Sequence, residues 1–238
     1  MVRCQGEKNI MCDCCFYNLF VLKTLLRLKQ SFFLRCCIGL DFQCVPSEKV
    51  VAVHGSIGMA SCESCGSSVN FDEFCDNVKR NIKDIYNQDQ EAPKESSPIL
   101  CPTCKKPTVK PSTVLFGSSL PSRFFELSED DTRSADLLIV AGTSLVVSPA
   151  NFLVSMVPDF TLRVIVNLQP VGQHLGLDYG PYSKRDFFAS GNCDEIFLDL
   201  ICHLGWFDNV QEFVHELPEQ SRLLVEDRMR DIKGKLNL

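Results

Sequence analysis

This 238-residue chain has no excess of positive charge and no unbroken apolar run of membrane length. Lys+Arg number 24 against 30 Asp+Glu, a net charge of −6, so no global basic field exists to hold nucleic acid directly. The most apolar stretch near the start, Phe16 to Leu34, is broken by Lys23, Arg27 and Lys29. A membrane span needs roughly 20 largely uncharged residues, and a signal peptide needs a clean apolar run followed by small residues. Neither pattern is present, and repeats and low-complexity tracts are missing too. The expectation is a folded intracellular protein, cytoplasmic or nuclear, with no membrane partner. Its 45% hydrophobic and 23% charged residues suit one.

Cysteine, by contrast, is abundant, with 14 in the chain. Without a signal peptide, free thiols and metal ligands are a better reading than a disulfide scaffold. Cys4, Cys12, Cys14, Cys15, Cys36, Cys37 and Cys44 crowd the start without comparable pairing. Two CxxC pairs follow, Cys62-Glu-Ser-Cys65 and Cys101-Pro-Thr-Cys104. Thiolates are soft ligands, and two such hairpins complete a closed tetrahedral shell for zinc, which leaves no position for water and makes the metal structural. The alternative is two coincidental pairs of free cysteines. The intervening residues 66–100 exceed the roughly 15–20 common in zinc ribbons. They hold a helix, with Phe71, Phe74, Val78, Ile82 and Ile85 at helical spacing behind an Asn70/Glu73 capping box, and then a polar loop, 87–98. Cys75, inside that helix, reads as a core residue.

Beyond residue 135 the pattern changes. Asp136 to Ala141 is a short apolar run ending in Gly142-Thr143-Ser144, as a buried parallel strand feeding a loop would be. Ser148-Pro149-Ala150 opens a helix, Arg163 to Asn167 is a second buried strand, and Asp194 starts an apolar helix that ends near Gly205-Trp206. Glu126 to Asp131 reads as a solvated helix start. This is the grammar of an open α/β sheet with ligands at the strand C-termini. Residues 207–238 form a charged helical tail.

Val50 to Val53 reads as a strand delivering His54 to its C-terminal end, with Gly55 permitting a sharp turn. A histidine there can serve as a general base, although a lone histidine after a strand is more often a satisfied structural residue. The Gly142-Thr-Ser loop suits a dinucleotide, because small residues let backbone donors approach phosphate and ribose. Taken alone it is equally an ordinary strand-to-helix turn. His174, His203 and His215 lack metal spacing.

Six features stand in one order: His54-Gly55-Ser56, the two CxxC pairs, Val109 to Gly117, Leu120-Pro121, Gly142 to Leu145 with Pro149, and Val164 to Asn167. This string resembles the sirtuins, the NAD-dependent protein lysine deacylases, over about residues 34–206. The resemblance implies the C-terminal part of a doubly wound, Rossmann-like NAD-binding domain (about 34–56 and 109–206) plus a small Cys4 zinc module (about 57–108), after a divergent leader, 1–33. It implies NAD and zinc as cofactors and an acylated-lysine protein or peptide as substrate. His54 matches the family's general base, which deprotonates the nicotinamide ribose after the acyl-lysine carbonyl oxygen attacks C1′. Gly142, Thr143 and Ser144 match the loop that contacts NAD. Asn167, Leu168 and Gln169 match the adenine-ribose side, and Cys193 a position whose backbone touches adenine. Val114, Leu115, Phe116 and Gly117 match the edge strand and turn against which the substrate peptide lies. Ser118 departs from the acidic residue common after the Phe-Gly pair, which leaves substrate preference open.

The family's Gly-Ala-Gly-x-Ser loop and Pro-Asp-Phe-Arg segment occur nowhere in this chain. Where the family has Thr-Gln-Asn-Ile-Asp, this chain reads Leu34-Arg-Cys-Cys-Ile-Gly-Leu-Asp-Phe-Gln43. The expectation is a family member whose first thirty-odd residues are not native to the fold. Three activities stay open: deacylation, a catalytically impaired peptide-binding module, and protein ADP-ribosyl transfer.

Overall fold

The apolar runs Leu137–Ala141 and Leu162–Asn167 lie side by side as parallel neighbours in one three-stranded sheet, the second at its centre. The computed structural model describes residues 50–115, 117–212, 214–217 and 219–236. The leader 1–33, the segment 34–49 and Phe116 lie outside the described residues. The described chain forms two compact units, one over Ala52–Pro121 and the other from Ser122 onward.

In the first unit, β1 (Gly55–Cys62) sits between β2 (Ser68–Val69) and β3 (Val109–Thr113), both antiparallel to it. Helix α1 (Phe71–Asn81) lies between β2 and β3 in sequence, and the Asn70 side chain accepts from the Glu73 amide at 2.9 Å, as the capping pattern predicted. The helix stops at Asn81, short of Ile85, because the Asp84 carboxylate accepts from the amides of Tyr86, Gln88 and Asp89 and turns the chain away. Ile85, placed on the apolar stripe by spacing, is instead exposed. The apolar centre of this unit is small: Ala60, Phe74 and Val78, flanked by Val69, Phe71, Ile82, Ile99 and Val109.

The second unit opens with α2 (Ser122–Arg133). The acidic run Glu126–Asp131 lies within this helix rather than at its start. β4 (Leu137–Ala141), a 3₁₀ turn, the short α3 (Leu153–Met156), β5 (Leu162–Asn167) and β6 (Asp186–Ser190) follow, then α4 (Cys193–His203). The sheet order β4-β5-β6 is all parallel, with Leu137 opposite Leu162 and Val164 opposite Phe187. Period-two alternation splits β5 between two apolar clusters. Ile165 faces Val140, Leu145, Val154 and Leu177; Val166 faces Cys193, Phe197, Leu198 and Ile201 of α4. The charged tail also belongs to this second cluster. Phe207 and Val210 of α5 (Phe207–Gln211) and Val225 of α6 (Glu219–Leu236) are buried there. Among the described residues no helix is long and apolar enough to cross a membrane.

Arg163 is fully buried in the middle of β5, directly opposite Asp186 in register. Its guanidinium holds both carboxylate oxygens, at 2.5 and 2.6 Å, and donates to the carbonyls of Val154 at 2.8 Å and Gly176 at 2.9 Å. Asp186 also accepts from the Asp178 amide at 2.8 Å. The pair thereby stitches β5 and β6 to α3 and to the loop between the strands.

Candidate functional site

The four CxxC cysteines come together. Each pair closes a similar knuckle. The Cys62 amide donates to the Ser67 carbonyl and the Gly66 amide to the Cys62 carbonyl; the Cys101 amide donates to the Lys106 carbonyl and the Lys105 amide to the Cys101 carbonyl. Both knuckles turn on a left-handed residue, Gly66 at φ 71° and Lys105 at φ 60°. The Sγ atoms of Cys62, Cys65, Cys101 and Cys104 lie within 4.8 Å of one another. Cys62 and Cys104 are 3.5 Å apart, Cys65 and Cys101 3.7 Å. A zinc tetrahedron with bonds of about 2.3 Å has edges of about 3.8 Å, so the donor set fits that ion.

Titration of the thiols points the same way. The Ser67 hydroxyl, then the Cys104 amide, pull the Cys101 thiol down to about 5. The Thr108 hydroxyl lowers that of Cys62. Cys104 accepts from the Lys106 amide, yet burial and the three neighbouring sulfurs push it up to about 11. Metal binding deprotonates such ligands and offsets their charge.

His54 sits in the same unit, but not at a strand end. Val53 and His54 form a turn closed by the Gly55 amide donating to the Ala52 carbonyl at 2.9 Å, and β1 begins only at Gly55. The expected strand over Val50–Val53 is not formed: Val53 and His54 already turn, and Gly55 follows at φ 74°. The His54 carbonyl accepts from the Val114 amide at 2.9 Å, tying the turn to the residue that follows β3. The ring is half-buried and its Nδ1 is shielded from solvent.

The expected edge strand is also not formed over Val114 and Leu115. β3 ends at Thr113; Leu115 is exposed, Gly117 turns at φ 87°, and the Ser118 amide donates to the Leu115 carbonyl at 3.0 Å. Val114 and Leu115 follow β3 without extending it, the Val114 amide held by the His54 carbonyl and the Leu115 carbonyl by the Ser118 amide.

The other nominated residues gather within the second unit, at the C-terminal ends of its parallel strands. Gly142, Thr143 and Ser144 leave β4, Asn167, Leu168 and Gln169 end and follow β5, and Gly191 to Cys193 lead from β6 into α4. Backbone bonds knit these ends together: the Gly142 amide donates to the Val166 carbonyl at 3.0 Å and the Gly191 amide to the Asn167 carbonyl at 3.1 Å. The Asn167 amide group donates to the Thr143 carbonyl at 2.8 Å, while its oxygen accepts from the Leu168 amide. Asn167 therefore braces the Gly-Thr-Ser loop. Beneath the same loop, buried Asn151 donates to the carbonyl of Leu145, which holds φ 55°. Spacing gave no signal for Asn151, since one buried amide leaves no periodic trace. Gly142, Ser144, Leu168 and Gln169 are exposed, whereas the Cys193 side chain is buried in the apolar cluster. The Asn192 side chain caps α4 by accepting from the Asp194 amide at 2.9 Å.

A parallel α/β sheet with polar loops at its strand C-termini, accompanied by a Cys4 module, defines a class of nucleotide-binding fold with a structural metal site. Comparison with known proteins names the family. Residues 39–149 match the model of the Sir2 family. The chain is 33% identical over 187 residues to the NAD-dependent protein deacetylase hst2 of Schizosaccharomyces pombe, covering 77% of this chain and 50% of that protein. It is 35% identical over 176 residues to the NAD-dependent deacetylase sir2A of Dictyostelium discoideum, covering 71% of this chain and 31% of the relative. The NAD-dependent protein deacetylase sirtuin-2 of Danio rerio is 30% identical over 206 residues, with 79% and 50% covered. A solved structure from work on the structural basis for sirtuin substrate affinity shares the fold, at TM-score 0.58 and 21% identity, over 80% of this chain and 72% of that one. The chain belongs to the Sir2 family. It spans half or less of the length of these curated relatives.

Proposed function

We propose that the chain takes part in NAD-dependent removal of acyl groups from protein lysine, with zinc as a structural ion. The observation that carries this reading is the convergence of the Gly142–Ser144 loop, the Asn167 end of β5 and the N-terminus of α4 at one sheet edge. Relatives named as NAD-dependent deacetylases add to it. NAD supplies the electrophilic ribose carbon that the acyl-lysine oxygen attacks. The exposed backbone at Ser144 and the start of α4 offer amide donors to its phosphates and ribose. Asn167 and Asn151 hold the loop in place, and Leu168 and Gln169 line the adenosine side. His54 accepts the ribose proton. Val114, Leu115, Phe116 and Gly117 receive the substrate backbone by strand addition. Cys62, Cys65, Cys101 and Cys104 hold the zinc, a closed shell that does no chemistry.

The test is nicotinamide release from NAD by the zinc-loaded chain with an acetyl-lysine peptide. Release is expected, with deacetylated peptide in equal amount. His54→Ala, at unchanged zinc content, is expected to lower it by roughly 10²–10⁴-fold. Peptide binding that ignores NAD, without nicotinamide release, identifies a binding module instead. Label from NAD on protein identifies ADP-ribosyl transfer.

A further inference from the structure

Each zinc knuckle sends a hydroxyl to a sulfur of the other. Ser67, from the first knuckle, lies with Oγ 3.1 Å from Cys65 Sγ and 3.4 Å from Cys101 Sγ, spanning the two. Thr108, beyond the second knuckle, places Oγ1 3.2 Å from Cys62 Sγ and 2.9 Å from the Ser64 hydroxyl of the first. The Thr108 carbonyl also accepts from the Glu63 amide at 3.0 Å. A metal-bound thiolate can only accept, so the direction of each bond is fixed once zinc is held. Thr108 has one proton and gives it to Cys62, so Ser64 gives its own to Thr108. Ser67 shares one proton between Cys65 and Cys101. Three of the four sulfurs thus receive a hydroxyl, while Cys104 accepts from the Lys106 amide.

We infer that Ser67 and Thr108, with Ser64 behind Thr108, are positioning residues that retain the metal. They offset thiolate charge from outside the shell and brace one knuckle against the other. The inference rests on the Cys4 cluster holding zinc and is independent of whether the chain deacylates. Losing an outer partner of a metal ligand costs roughly 10–100-fold in metal affinity. Neither hydroxyl belongs to the CxxC pattern, so neither was visible from ligand spacing.

The experiment is competition of the full-length zinc-loaded chain against a chromogenic chelator, with cobalt-substituted protein as the second readout. Thr108→Val and Ser67→Ala are each expected to weaken zinc retention roughly 10- to 100-fold. Thr108→Ser and Ser67→Thr are expected to restore it. In the cobalt form, the tetrahedral ligand-field bands should persist while the sulfur-to-cobalt charge-transfer band moves to longer wavelength, since an unbonded thiolate gives up its electron more readily. Unchanged retention and an unmoved band in both variants overturn the inference. So does a variant that loses the ligand-field bands and is not rescued by its hydroxyl-bearing counterpart. Purified wild-type chain without zinc overturns the cluster and the inference with it.

Discussion

Three left-handed residues in the first unit look alike in their backbone angles and differ in what surrounds them. A Cβ on Gly55 would sit 2.0 Å from the Ser112 carbonyl oxygen, inside the β1–β3 pairing and next to His54. A Cβ on Gly66 would meet nothing within 4 Å. Gly66→Ala therefore costs only the left-handed backbone, about 1–2 kcal/mol, while Gly55→Ala must also part β1 from β3 and is expected to cost roughly 1–3 kcal/mol more. Lys105 already bears the strain that Gly66 avoids, eased by its ammonium donating to the Pro102 carbonyl at 2.8 Å. Urea unfolding of the zinc-loaded variants reads the difference. Equal losses for the two glycine variants would defeat the steric argument. The histidine at this turn was legible as a residue type before a glycine. Its position ahead of a strand was not, because the glycine that ends one extended segment also begins the next.

At the scale of elements, the buried Arg163–Asp186 pair is the feature with the largest expected mutational effect. Removing one partner strands the other in the core, so Arg163→Met and Asp186→Asn are each expected to cost about 3–5 kcal/mol. Burial works against the Asp186 carboxylate, but the Arg163 bonds, the Asp178 amide and the Arg163 and Arg185 charges together hold its pKa below the ordinary carboxylate value. A depressed carboxylate stabilises the fold above its unfolded pKa and stops doing so as pH falls through the folded one. Stability should therefore hold through the neutral range and fall in acid below the usual carboxylate pKa. Asp186→Asn should flatten that acid limb in urea titrations, and a limb of unchanged steepness would remove the pair from the explanation. The sequence made β4 and the Val164–Val166 part of β5 legible because strands covered on both faces are largely apolar. It hid β6, whose Asp-Phe-Phe-Ala-Ser begins with the ion-pair carboxylate and leaves Phe187 exposed. It misplaced the start of α2, read at Glu126 rather than Ser122, because that helix turns Phe124, Ser128 and Thr132 inward, and two of those three are polar. β1 and β3, rich in Gly, Ser and Pro, give no alternation to read.

Across the molecule, the two units hold themselves together by different means. The unit from Ser122 onward contains two apolar clusters, one of them sealed by the carboxy-terminal helices through Phe207, Val210 and Val225. Among the described residues, the Ala52–Pro121 unit gathers a cluster of Ala60, Phe74 and Val78 beside a three-stranded sheet. A unit of that size with so small a core needs a staple, and the four sulfurs that cross-link residues 62–65 to 101–104 supply it. Metal binding is then folding free energy for that unit. Chelation, or Cys62→Ser with Cys101→Ser, should release amide protection across β1, β2, α1 and β3, while β4, β5, β6 and α4 keep theirs. Acid should do the same by protonating the ligands. Hydrogen exchange read peptide by peptide, with and without chelator, decides the point. Protection in β1–β3 that survives complete removal of the metal would mean that the apolar cluster suffices and that the zinc is dispensable to the fold. Loss of protection confined to the knuckles would mean that the staple secures only its own loops.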